Sequence, residues 1–189
     1  MKSPDTFLWH DYETFGTRPM YDRPAQFAAI RTDADLNPIA EELSFFCSPA
    51  DDVLPHPEAC LITGITPQIA RKAGLPECEF AGRILAEMMQ AGTCSAGYNS
   101  VRFDDVFTRN LLYRNLRDPY EREYHQGNSR WDLIDPARMC FALRPAGIEW
   151  PVRAPAGNSG QPVPCPSFKL EDLTRENGIE HSAAHEALA

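Results

Sequence analysis

Residues 7–17 read FLWHDYETFGT, and two carboxylates, Asp11 and Glu13, stand one residue apart at the end of an apolar run. Side chains alternate faces along a strand, so Asp11 and Glu13 would share a face while Tyr12 takes the other. Like charges at that spacing repel and raise each other's pKa unless a cation lies between them. A divalent cation bound by oxygen ligands would supply that charge. A lone D-x-E pair is a weak motif, because any exposed strand end can carry two acids.

Further acids and a histidine stand where chemistry is possible. In GYNSVRFDD, residues 97–105, a short strand would end at Gly97 and a helix open at Phe103-Asp104. Asp104 would then project near a chain reversal. Its ordinary role would be a first-turn acid complementing the helix dipole, and Asp105 competes with it for either role. In EHSAAHEALA at 180–189, Ser182 is a fitting N-cap and places His185 in the first turn of a helix. His181 and His185 stand four apart, but HSAAH lacks the glutamate of a zinc-protease motif, which argues against zinc there.

The elements that must position these groups are legible in outline. Thr6–Glu13, Gln26–Thr32 and Glu42–Cys47 read as three strands joined by short turns, an antiparallel meander. Thr66-Pro67 has the form of an N-cap followed by proline at the first helical position. Apolar spacing predicts helices over Glu79–Gln90, Phe103–Leu116, Ile134–Leu143 and Lys169–Glu176, with a short buried strand at Thr93–Ala96. The segment 144–167 is dense in proline and glycine and reads as a loop or insertion. Three strands followed by alternating helices and a further strand indicate an α/β fold. Its mixed β-sheet, an antiparallel meander plus parallel strands, is flanked by helices in the ribonuclease-H-like manner.

Composition narrows the class. Of 189 residues, 43% are hydrophobic and 24% charged, the balance of a soluble globular domain. There is no apolar run of membrane-spanning length and no signal-peptide core in MKSPDTF, which predicts a cytoplasmic protein without a membrane partner. Six scattered cysteines with no C-x-x-C pair fit reduced thiols. The net charge of −9 disfavours nucleic-acid binding by bulk electrostatics. The residues from Arg102 to Arg138 nonetheless carry seven arginines against seven acids. From charge alone that stretch reads as a solvated helix face laced with ion pairs.

Taken in order, Asp11-x-Glu13, Asp104 after N-x-x-x-F, and a C-terminal histidine resemble the DEDDh 3′→5′ exonuclease superfamily. HDYETFGTRP, DRPAQFAAIRTD, LITGITPQ, GYN-x-VRFDD, TRN-x-x-YRN, NSRWDL, ALRP-x-GI-x-WP and NGIEHS-x-AH extend the likeness to the bacterial exodeoxyribonuclease I family, from about residue 7 to the end. The resemblance implies one exonuclease domain over residues 1–189 that degrades single-stranded DNA from its 3′ end to 5′-mononucleotides in DNA repair and recombination. It implies two Mg²⁺ ions, replaceable by Mn²⁺, held by Asp11, Glu13 and Asp104, with Glu13 also touching the terminal nucleotide and His185 as general base. Arg109, Tyr120, Tyr124, Arg138 and Lys169, the last within PSFKL at 166–170, become candidates for the strand-binding groove. A single-stranded-DNA-binding protein is an expected partner, through C-terminal domains absent from these residues.

The family pattern also places an aspartate five residues after the catalytic histidine, at position 190, one beyond Ala189. The expectation is therefore a piece of a longer protein, impaired in metal binding and cleavage by itself. Two alternatives stand beside the DNA exonuclease: a catalytically impaired nucleic-acid-binding module of the same fold, and an oligoribonuclease-type RNA exonuclease.

Overall fold

The computed structural model describes residues 4–153 and 165–179. They form two compact units, one reaching to Asp132 and one from Leu133 onward.

The first unit is built on a five-stranded sheet. Its strands are β1 (Thr6–Thr14), β2 (Pro24–Thr32), β3 (Leu43–Phe46), β4 (Thr93–Gly97) and β5 (Ser129–Asp132), in the order β3-β2-β1-β4-β5. β1, β2 and β3 pair antiparallel, and β4 runs parallel to both β1 and β5. This is the mixed, ribonuclease-H-like arrangement expected from the sequence. The connections between β3 and β4 carry α1 (Pro57–Thr63), α2 (Pro67–Ala73) and α3 (Glu77–Met88), and α4 (Asp104–Arg114) follows β4. As expected, Thr66 caps α2, its side chain accepting from the Ile69 amide at 3.3 Å.

Alternation along β1 decides which residues face the core. Leu8, His10, Tyr12 and Thr14 are buried, while Phe7, Trp9, Asp11 and Glu13 share the other, more open face. Leu8 and Tyr12 join Phe27, Phe45, Phe80, Ile84, Met88, Leu111 and Leu112 in the main apolar cluster. Phe80, Ile84 and Met88 recur every fourth residue, so α3 lays one stripe on the sheet. α4 does the same with Phe107, Leu111 and Leu112. β4 (TCSAG) is buried at every position, and its small side chains suit a central strand covered on both faces.

The second unit contains α5 (Ile134–Leu143), two short strands, β6 (Val152–Arg153) and β7 (Cys165–Pro166), and α6 (Leu170–Glu176). The expectation of an unstructured loop over 144–167 is corrected at its ends. Val152 pairs with Pro166 and Arg153 with Cys165, and the Ser167 amide donates to the Pro151 carbonyl at 2.7 Å. Phe141, Trp150 and Phe168 pack edge-on with ring centroids 5.2–6.0 Å apart. Asn177 ties Glu149 through both its amide and its carbonyl, at 2.9 and 2.8 Å. These contacts join residues far apart in the chain, which is why local proline content misrepresented the segment. Helix α1 and strand β5 were also absent from the sequence reading. Both are too short to show a period.

Candidate active site

The parallel register of β1 and β4 aligns Trp9 with Ala96, which brings Gly97, the last residue of β4, level with His10. Among the described residues the pairing of β1 with β4 ends at about that point, and the acidic residues begin there. Gly97 is required by the close approach, since a Cβ would stand 3.1 Å from the His10 carbonyl and 2.9 Å from the Ser100 Cβ. On the other edge a β-bulge falls between Glu13 and Thr14, a device that re-aims side chains at a strand end.

Asp104, first residue of α4, reaches the same place. Its side chain lies beside that of Asp11, close enough for the two carboxylates to shift each other's protonation. Burial and then the Asp11 charge push Asp104 well above the usual carboxylate range. Asp11 keeps an exposed edge, yet desolvation raises it too. Glu13, half-buried, is raised to about 7 by desolvation and by the charge of Asp11. One oxygen of Asp104, Oδ1, is buried with no hydrogen-bond partner among the described residues.

The Asp11–Asp104 pair, its orphaned buried oxygen and the nearby Glu13 are an all-oxygen donor set, whose chemistry fits a hard divalent cation. The set is incomplete: among the described residues no three His, Cys, Asp or Glu side chains converge tightly enough to hold an ion by themselves. His185, the expected general base, lies outside the described residues.

Behind the acids, the arginine-rich stretch is not the solvated face that its composition suggested. Asp105, adjacent to Asp104, is 2% exposed. Its Oδ1 accepts from Arg122 Nη2 at 2.7 Å and its Oδ2 from Arg130 Nη1 at 2.8 Å. Arg122 is fully buried. Glu123 accepts from Arg109 at 2.8 and 2.9 Å and pairs with Arg130 Nε at 3.1 Å. The competition between the two aspartates is thus resolved by partners: Asp104 faces Asp11, and Asp105 faces guanidinium groups. Sequence reasoning gave no role to Arg122, Arg130 or Asp132, because their partners lie 17 to 33 residues away.

The other candidates are dispersed. Arg109 is engaged by Glu123 and lies over the Tyr120 ring, 5.1 Å from its centroid. Tyr120 and Tyr124 are exposed. In the second unit, Arg138 pairs with Asp135 at 3.0 Å and lies 5.9 Å from the Phe168 ring centroid, and Lys169 is exposed just before α6.

Comparison with known proteins gives the family. The exonuclease (RNase_T) family model matches residues 8–189. Exodeoxyribonuclease I of Escherichia coli K12 is 57% identical over 188 residues, covering 100% of this chain and 38% of that protein. Among solved structures, the zinc-bound form of the E. coli ExoI–ssDNA complex superposes with a TM-score of 0.89 at 56% identity, over 98% of this chain and 38% of that one. An ExoI/SSB-Ct complex gives 0.85 at 57% identity, over 96% and 38%. The chain therefore spans about 38% of the length of the relative it matches at 57% identity. Its acidic cluster, sheet order and matched residues together place the chain in the exonuclease family.

Proposed function

We propose that this chain is the nuclease domain of a Mg²⁺-dependent 3′→5′ exonuclease that degrades single-stranded DNA to 5′-mononucleotides. The observation that carries the reading is the Asp11–Asp104 pair, with Asp104 Oδ1 unpartnered and Glu13 beside it. Such a cluster is unfavourable until cations neutralise it, and two hard cations bound there supply Lewis-acid polarisation of a phosphoryl oxygen and an acidified water. Asp11, Glu13 and Asp104 would hold them, and Mn²⁺ substitutes for Mg²⁺. Glu13, at the open end of β1, also orients the 3′-terminal nucleotide. His185 is the proposed general base, taking the proton of the attacking water.

The likeness to a relative solved with ssDNA supports that strand as substrate, with Arg109, Tyr120, Tyr124, Arg138 and Lys169 as groove residues. The likeness to a complex with an SSB C-terminal peptide supports a single-stranded-DNA-binding protein as partner of the complete protein. Work in DNA repair and recombination follows from that substrate. Among the described residues no helix is long and apolar enough to cross a membrane.

The test is digestion of matched single-stranded DNA and RNA oligonucleotides, labelled at the 5′ end, by the complete gene product. Stepwise shortening of the DNA from its 3′ end, dependent on Mg²⁺ and stopped by a chelator, is the expected result. Faster loss of RNA, or cleavage indifferent to chelation, would overturn the assignment.

A further inference from the structure

Helix α4 carries Asp104 into the acidic cluster, yet its own N-terminus has no side-chain cap. Phe103 stands at the cap position with φ −123° and ψ −72°. Something else must set the rotation of the helix about its axis, because successive residues on a helix point about 100° apart. Two contacts do so. On the β1 side, the Tyr12 and Thr108 hydroxyls pair at 3.0 Å. On the other side, both oxygens of Asp105 are taken by arginines from separate elements, Arg122 from the turn at 121–123 and Arg130 from β5.

Arg122 is the unusual member. It has no exposed surface, and its Nε and Nη1 find no hydrogen-bond partner among the described residues. A buried ion pair adds little net stability over apolar packing, and unpartnered guanidinium nitrogens make it poorer still. A group retained at that cost is better explained by geometry than by stability.

We propose that Arg122 is a positioning residue for the nuclease reaction: through Asp105 it fixes the first turn of α4 so that Asp104 faces Asp11. Arg130 shares the task from the other oxygen, and Glu123 holds Arg130 in turn at 3.1 Å. Arg122 touches neither substrate nor cation. The inference rests on the nuclease reading above, in which Asp104 is a cation ligand.

The test compares Arg122→Met, Arg122→Lys and Arg130→Met with Glu77→Gln, all in the complete protein. Glu77 anchors the opposite end of α4 by accepting from Arg114 at 2.7 and 3.1 Å and from Asn115 at 3.0 Å, so its loss loosens the helix far from Asp104. Three readouts are taken well below each variant's Tm: kcat and KM on single-stranded DNA, and Mn²⁺ binding by electron paramagnetic resonance without DNA. Arg122→Met is expected to lower kcat and Mn²⁺ affinity by about 10–100-fold, the usual scale for a residue supporting a metal ligand. KM should stay within about twofold, since ground-state binding is untouched. Lysine, which can still make the single 2.7 Å contact to Asp105, should recover much of the loss. Glu77→Gln should lower Tm and leave kcat and Mn²⁺ affinity near wild type.

If Arg122→Met keeps wild-type kcat and Mn²⁺ affinity, or if Glu77→Gln loses both as severely, the proposal fails. Should Arg122→Met not fold, the partly exposed Arg130→Met carries the same comparison. A wild-type protein inert on DNA would overturn the nuclease reading alone, because Mn²⁺ titration still reports the carboxylate geometry.

Discussion

Asp104 and Glu13 are held in a state that favours protons while no cation is bound. Asp104→Asn should therefore abolish Mg²⁺-dependent cleavage and yet raise the stability of the metal-free protein, by about 1 kcal/mol, as substitutions at strained active sites often do. Urea unfolding without divalent ions, paired with a cleavage assay, checks both halves. Glu13 and His10 give opposite pH dependences. Glu13 is raised from 4.5 to about 7, so the folded state binds more protons than the unfolded one in that window, and its contribution to stability is lost as pH rises through it. His10, buried against the core, is lowered from 6.5 to about 4 by desolvation and then by the Arg122 charge. Its unfolded state binds more protons between those values, so stability is lost as pH falls from 6.5 toward 4. Metal-free Glu13→Gln should flatten the decline toward pH 7 and leave the acid limb in place, as unfolding midpoints across pH 4–8 would reveal. In wild type, affinity for the proposed cation should climb as pH rises through about 7, because protons and the cation compete for Glu13.

The loop from β4 to α4 carries the burden at the scale of elements. Asp132, the last residue of β5, accepts from the Asn99 amide at 2.7 Å and the Val101 amide at 3.1 Å. Asn99 itself sits at φ 60°, a left-handed conformation that asparagine and glycine tolerate. Asp132→Ala should cost about 1–3 kcal/mol, the penalty for stranding donors inside a fold. Asn99→Gly should be nearly neutral, whereas Asn99→Val should cost about 1–3 kcal/mol through backbone strain. Equal unfolding free energies for the two Asn99 variants would show that the left-handed turn is not under constraint. Helix and strand identity in this region was legible because β4 is a short run of small residues ending at Gly97 and α4 has helical spacing. The clamp was not, because Asp132 gives no local sign of which amides it will meet 31 to 33 residues away.

Over the whole chain, a net charge of −9 would meet a polyanionic strand under the proposed function. Several arginines of the 102–138 stretch are committed to carboxylates: Arg109, Arg122 and Arg130 to Glu123 and Asp105, and Arg114 to Glu77. With those four guanidinium groups paired, fewer cations are left to release counterions, so this chain's affinity for single strands should depend weakly on salt. A loss below about tenfold in Kd between about 50 and 200 mM salt is expected, against roughly 10³–10⁵ for proteins making many phosphate contacts. Stacking then carries more of the binding. Tyr124→Ala should weaken oligonucleotide binding by about 1–3 kcal/mol. A steep salt slope together with an unaffected Tyr124→Ala variant would place the strand elsewhere.

The sequence by itself determined what is set by short-range geometry. The two-residue period of a strand put Asp11 and Glu13 on one face and Tyr12 on the other, and Thr66-Pro67 started a helix where local capping chemistry says it must. The order of the acidic motifs was enough to indicate the exonuclease family. Tertiary structure supplied the physical distinction between two adjacent aspartates, of which the family resemblance had pointed to Asp104. Asp104 and Asp105 are chemically identical and neighbours in the chain, and they are distinguished only by Asp11 on one side and by Arg122 and Arg130 on the other. The same holds for the arginines, whose role as buried clamps depends on carboxylates brought to them by separate elements. Charge pairing acts through space, and no local pattern of residues encodes which distant partner will arrive.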